Sequence, residues 1–193
     1  YWWEPENVAA TIGNDVVNRV NTWMESNKAY FSNYQNRFAN RKGGYEDAYV
    51  SDSAKWLDAF KAQGKSLSQE AQSILDYVDQ YKDYLDANWV NDIKATVNSA
   101  SLQYRQLLDG AKKDNEFWSQ WETEDDYKKD VATAKDYEAK STSDLDALSK
   151  ELEQLTSVAD EYATLSNQWF AIENGTDNFS EDERNDISAR YSA

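Results

Sequence analysis

Apolar residues recur along this chain at steps of three and four, the period of an amphipathic helix and not the alternation of a strand. The first stripe runs Val8, Ile12, Val16, Val20, Trp23, Tyr30, Tyr34 and Phe38. Pro5 sits just ahead of it, where a first helical turn accepts proline, and Asn40-Arg41-Lys42-Gly43-Gly44 ends it. A second, shorter helix carries Tyr49, Ser53, Trp56, Leu57 and Phe60 on one face, with Gly64 as its stop. Ser66 or Ser68 then reads as the cap of a third helix, Ser66 with Gln69 having capping-box spacing.

The third stripe is the clearest. Ala71, Ile74, Val78, Tyr81, Leu85, Trp89, Ile93, Val97, Ala100, Tyr104, Leu107 and Ala111 follow without a slip. The pattern predicts one helix of about 40 residues, roughly 60 Å long. A bend near Asn88 is compatible with it but not required.

Asp114 to Trp121 reads as a connection. Thr123 followed by Glu124, Asp125 and Asp126 is a helix start, with a hydroxyl cap and acids at the positive end of the dipole. A fourth helix carries Tyr127, Val131 and Ala134, and its pattern weakens across Ser141-Thr142-Ser143-Asp144. From Leu145 a heptad seam follows, with Leu148, Leu152, Leu155, Ala159, Tyr162, Ser166 and Trp169. Ser180-Glu181-Asp182-Glu183 opens a short last helix with Ile187 and Tyr191.

Strand signals are absent, and no repeat of fixed period is evident. The expected fold is all-α: an elongated antiparallel bundle of three to four long helices plus a short C-terminal helix. Residues 1–193 read as a single domain, with an N-terminal aromatic arm over residues 1–6 and a polar loop over 173–180.

Composition narrows the chemistry. The 193 residues include no cysteine, which excludes disulfides, thiolate zinc and Fe–S clusters. They include no histidine either. That removes the Ser-His and Cys-His triads, the usual zinc sites, histidine-ligated haem and the Glu-x-x-His motif of di-iron bundles. Arg41-Lys42-Gly43-Gly44 lacks the spacing of a phosphate-binding loop. Glu173 to Asn178 does not match an EF-hand. No cofactor and no metal are expected. Glu122, Glu124, Asp125 and Asp126 beside Trp118 and Trp121 resemble a glycosidase carboxylate pair only distantly, since the acids suit a first helical turn.

Formal net charge is −16 and mean hydropathy is −0.93. Residues 123–193 hold 18 acids against 7 bases, whereas residues 1–64 hold 8 against 7. Such a chain repels nucleic acid and anionic lipid. No apolar run approaches a membrane span.

Candidate contact residues are the aromatics off the stripes: Tyr1, Trp2 and Trp3, read as an arm docking on a partner or a cap on its own bundle, and Phe117, Trp118 and Trp121, read as a contact surface or as core at the bundle end. Asn174 and Asn178 stand in N-x-S/T sequons. A chain beginning at Tyr1 reads as processed or as excised from a longer one, and the paired sequons suggest a glycoprotein of the cell surface or extracellular space. The expectation is a non-enzymatic structural or interaction protein that forms a homo-oligomer or binds a protein partner, as in a surface layer, filament, adhesin or virion. The alternative is a ligand-binding sensor bundle whose small molecule would meet Tyr81, Trp89 or Tyr104, although nothing in the sequence indicates a ligand.

Overall fold

The computed structural model describes residues 5–41, 45 and 47–173, with side chains over 8–39, 45 and 53–161. The elements are α1 (Pro5–Arg41), α2 (Asp47–Tyr81), α3 (Ala87–Trp118), α4 (Glu124–Lys128) and α5 (Val131–Glu173). A 3₁₀ turn, Lys82–Tyr84, separates α2 from α3. No strand occurs among the described residues. The fold is an all-α bundle in which the long helices pack on one another. No described helix is long and apolar enough to cross a membrane.

The first stripe folds as the periodicity predicts. Ile12, Val16, Val20, Trp23, Tyr30, Tyr34 and Phe38 are all buried on α1. The second and third segments differ from expectation. α2 runs straight through Gly64 and Ser66. The Ser66 hydroxyl caps nothing and donates back to the Ala62 carbonyl at 3.3 Å. The expected 40-residue helix is instead a hairpin. The chain reverses over residues 82–86, and the Asp86 carboxylate accepts from the Trp89 amide at 3.0 Å to start α3. Tyr81, Leu85 and Trp89 keep their spacing of four across that reversal because both arms turn the same face to the core. The hydrophobic period alone therefore could not reveal the break.

Further along, α3 continues to Trp118, well into the expected connection. Thr123 caps α4 as predicted, accepting from the Asp126 amide at 3.2 Å. α4 stops at Lys128, and Asp130 opens α5, its carboxylate accepting from the Thr133 hydroxyl at 2.6 Å. α5 passes unbroken through Ser141 to Asp144, where the Thr142 hydroxyl is satisfied by the Glu138 carbonyl. The last helix expected around Ile187 and Tyr191 lies outside the described residues.

Packing divides the chain into two compact units, each gathering segments distant in sequence. Among the described residues, unit 1 takes in 5–25, 69–99 and 154–173, and unit 2 takes in 26–41, 45, 47–68 and 100–153. In unit 1 the core is largely aliphatic, with Val16, Val20, Ile74, Val78, Ile93 and Val97 around Trp23 and Trp89. α1 and α2 run antiparallel there, joined by the Arg19 guanidinium donating to Glu70 at 3.3 Å and to Ser73 at 2.6 Å, and by Tyr77 donating to Asp15 at 3.2 Å. α2 and α3 are bridged by Lys94 and Asp79.

The Lys94 ammonium holds the Asp79 carboxyl below its ordinary range, first through the hydrogen bond and further through its charge. Because the folded-state value is depressed, the pair's contribution is present at neutral pH and lost as pH falls through that lowered range. A carbon-detected NMR titration should place the Asp79 midpoint below that of an unpaired aspartate. Lys94→Met should return it to the ordinary value, and an unchanged midpoint would refute the pairing.

Unit 2 has an aromatic core. Tyr30 stacks on Phe60 with ring centroids 3.9 Å apart and meets Tyr104 edge-on at 6.4 Å. Phe60 stacks in turn on Trp56 at 4.6 Å. Gly64 supplies the notch for Tyr30: a Cβ at Gly64 would lie 2.9 Å from the Tyr30 hydroxyl. The same unit brings α3 and α5 together in antiparallel register, with Gln103 donating to Glu151 at 3.4 Å and Phe117 stacked on Tyr137 at 3.7 Å.

Candidate functional site

The contact residues read from the sequence fall into two groups. Tyr1, Trp2, Trp3, Asn174 and Asn178 lie outside the described residues. Phe117, Trp118 and Trp121 belong to a cluster at the end of α3 in unit 2, packed with Tyr45, Ala134 and Tyr127. Trp118 and Trp121 are 1% and 5% exposed, so of the two readings given for these rings the structure places them in the core. Phe117 is partly buried, with Tyr137 on its face and the Trp118 and Trp121 rings 5.5 Å and 5.1 Å away. The cluster ties the α3–α5 connection to α4 through Tyr127, which lies 5.5 Å from Trp121 and 5.5 Å from Tyr45.

Glu122, Glu124, Asp125 and Asp126 are exposed at the start of α4. Glu124 faces Lys128 one turn on, at 3.7 Å. Glu124, Asp125 and Asp126 occupy the first turn of α4, at the positive end of its dipole, whereas Trp118 and Trp121 are buried. Among the described residues, no group of three or more acidic side chains is placed to hold a metal ion.

Of the rings considered for a ligand, Trp89 and Tyr104 are 1% and 4% exposed. The Tyr104 hydroxyl shares a hydrogen bond of 2.7 Å with Ser68. Both therefore serve packing. Tyr81 is half-buried beside Tyr77, ring centroids 5.1 Å apart.

The structure instead opens a groove between α3 and α5 in unit 2, about 520 Å³ in volume. Its floor is Leu107, Gly110, Leu145 and Leu148, with Tyr34 of α1 beneath. Gly110 makes the depression: a Cβ there would meet only the Tyr34 hydroxyl, at 3.7 Å. Gln106, Asp109, Lys113, Lys140, Ser141 and Asp144 form the rim.

The register orders these charges. Gln103 level with Glu151 and Phe117 level with Tyr137 put Asp109 level with Leu145, next to Asp144. They put Lys113 level with Ser141, next to Lys140. Like charges thus face each other across the groove: an acidic pair at one level, and a basic pair one helical turn, roughly 6 Å, further along. Among the described residues, none of the four makes an ion pair or a side-chain hydrogen bond.

Beyond the groove, Leu102 is 57% exposed and stands level with half-buried Leu152. Leu148, also half-buried, links this patch to the groove floor. The sequence does not single these positions out, because Asp109/Lys113 and Lys140/Asp144 have the i,i+4 spacing of ordinary exposed helix charges. Gly110, the one glycine within the third stripe, is a local signal that could have pointed here.

A second concavity, in unit 1, is a shallow polar shelf along α2 lined by Arg19, Gln69, Gln72, Ser73, Asp76, Tyr77 and Gln80. The Arg19 guanidinium lies 5.3 Å over the Tyr77 ring and bonds Glu70 and Ser73, so its polar groups are engaged internally. No protein family, no curated protein and no solved structure matches the chain.

Proposed function

We propose that the protein is a non-enzymatic interaction protein that assembles with itself outside the cytoplasm, as a surface-layer, filament, adhesin or virion component would. The observation that carries this reading is the apolar patch on unit 2, where exposed Leu102 flanks half-buried Leu152 and Leu148. An incompletely covered leucine seam gains by burial against another surface, at about 25 cal/mol per Å² of apolar area. The absence of histidine and cysteine supports a role without covalent or metal chemistry, and the two sequons support an extracytoplasmic setting.

Charge selects the kind of contact. α5 carries an excess of acids, so two α5 seams laid together would repel. The near-neutral N-terminal third, with Tyr1, Trp2 and Trp3, suits the patch better. A contact between unlike surfaces is heterologous and propagates head to tail.

Light scattering after size exclusion, across a range of concentrations, tests this. The expected mass rises with concentration for the parent and stays monomeric for Leu102→Glu and for Trp2→Ala/Trp3→Ala. A parent that remains a monomer throughout would sink the proposal. The α3/α5 groove favours a second reading, that of a ligand-binding module.

A further inference from the structure

We infer that the α3/α5 groove of unit 2 is a binding site for a short zwitterionic peptide, a dipeptide with apolar side chains, its ammonium held by Asp109 and Asp144 and its carboxylate by Lys113 and Lys140. The site rests on the groove's own geometry and is independent of self-assembly through Leu102.

The arrangement of charge carries the inference. A surface that served only solubility would pair opposite charges across adjacent helices or scatter them. Here Asp109 stands on the Asp144 side of the groove and Lys113 on the Lys140 side, and none of the four has an ion-pair or hydrogen-bond partner among the described residues. A cation at the acidic level and an anion at the basic level relieve both repulsions. A lone anion or a lone cation relieves only one of them.

Length selects the ligand. The two levels lie one turn apart, roughly 6 Å. An extended residue spans at most ~3.3–3.6 Å, so the termini of a dipeptide lie roughly 7 Å apart. On this spacing a dipeptide matches the two levels more closely than a single amino acid or a tripeptide. The floor between and beyond the charges is aliphatic, from Leu107, Leu145 and Leu148, so side chains of that kind are the ones it accepts. The volume of about 520 Å³ lies in the range of small-molecule sites.

Calorimetry on the full chain with the dipeptide Leu-Leu provides the test, with leucine and the doubly blocked N-acetyl-Leu-Leu-amide as controls. Leu-Leu is expected to bind at least tenfold more tightly than either control. Gly110→Leu, which fills the depression inside an intact helix, is expected to abolish binding while the far-UV circular dichroism stays as in the parent. Lys113→Glu/Lys140→Glu should weaken Leu-Leu at least tenfold. Exchanging both pairs together, as Asp109→Lys/Asp144→Lys/Lys113→Asp/Lys140→Asp, should restore it with the peptide reversed. Equal binding of the blocked peptide, or no binding of Leu-Leu at millimolar concentration, would overturn the inference. Since Leu102→Glu leaves the groove untouched, it should keep Leu-Leu binding whatever its effect on assembly.

Discussion

Gly64→Ala is expected to destabilise the protein by about 1–3 kcal/mol, while the same substitution at Gly110 stabilises it by about 0.5–1 kcal/mol. Both glycines sit inside helices, where alanine is intrinsically favoured by up to about 1 kcal/mol. The difference lies in what the new methyl meets. At Gly64 it falls 2.9 Å from the Tyr30 hydroxyl, closer than real Cβ contacts allow. Tyr30 cannot give way, since it is 0% exposed and its ring is stacked flat on Phe60. At Gly110 the nearest atom is the Tyr34 hydroxyl at an ordinary 3.7 Å.

The hydroxyl itself is the obstacle, so Tyr30→Phe should relieve it. In that background Gly64→Ala should become neutral or favourable, a coupling that a double-mutant cycle in urea reads directly. The Tyr30 hydroxyl is also buried without a hydrogen-bond partner among the described residues. Burial, reinforced by Tyr104, pushes its ionisation well above the ordinary 10.0. The folded state therefore keeps this proton more tightly than the unfolded chain. The associated stability is intact below about pH 10 and lost as pH rises toward the folded-state value, a dependence that Tyr30→Phe should remove. A Gly64→Ala protein as stable as the parent would show the notch to be incidental.

Trp118→Ala is expected to cost about 3–5 kcal/mol, the range for emptying a large aromatic site. Trp118 is 1% exposed and lies within 6 Å of three other rings: Phe117 at 5.5 Å, Trp121 at 5.5 Å and Tyr127 at 5.9 Å. These rings come from the end of α3, the connection and α4, and Tyr45 joins them through Tyr127. Losing the central indole should therefore loosen all of those segments together. Urea unfolding should show the lower stability, near-UV circular dichroism a loss of aromatic signal, and hydrogen exchange faster opening of α4 than of α1. Glu122→Gln, on the exposed side of the same connection, should change stability by less than about 0.5 kcal/mol. A Trp118→Ala loss below about 1 kcal/mol would mean that the cluster is not a packed core.

Much of this fold was legible in the chain. The stripe from Ile12 to Phe38 is buried on α1, and Thr123 caps α4 as its hydroxyl ahead of three acids indicated. Helix ends were read less well wherever a local signal and a long-range one disagreed. Gly64 looked like a stop, yet its local cost is only about 1 kcal/mol and the space it leaves admits Tyr30. The Asp86 cap was present in the sequence but hidden beneath an apolar period that ran on unbroken.

By itself, then, the sequence determined helical class, the faces that turn inward, and the chemistry that no histidine or cysteine can support. Those follow from residue type and period, which are local properties. Only the tertiary structure decided that Tyr81 and Trp89 stand on opposite arms of a hairpin and that the tryptophans near Thr123 are core. It also decided that four ordinary surface charges, Asp109, Lys113, Lys140 and Asp144, line one groove with like facing like. Each of these depends on the register between segments far apart in the chain, and register is set by side-chain packing across helices, not by any window along one of them.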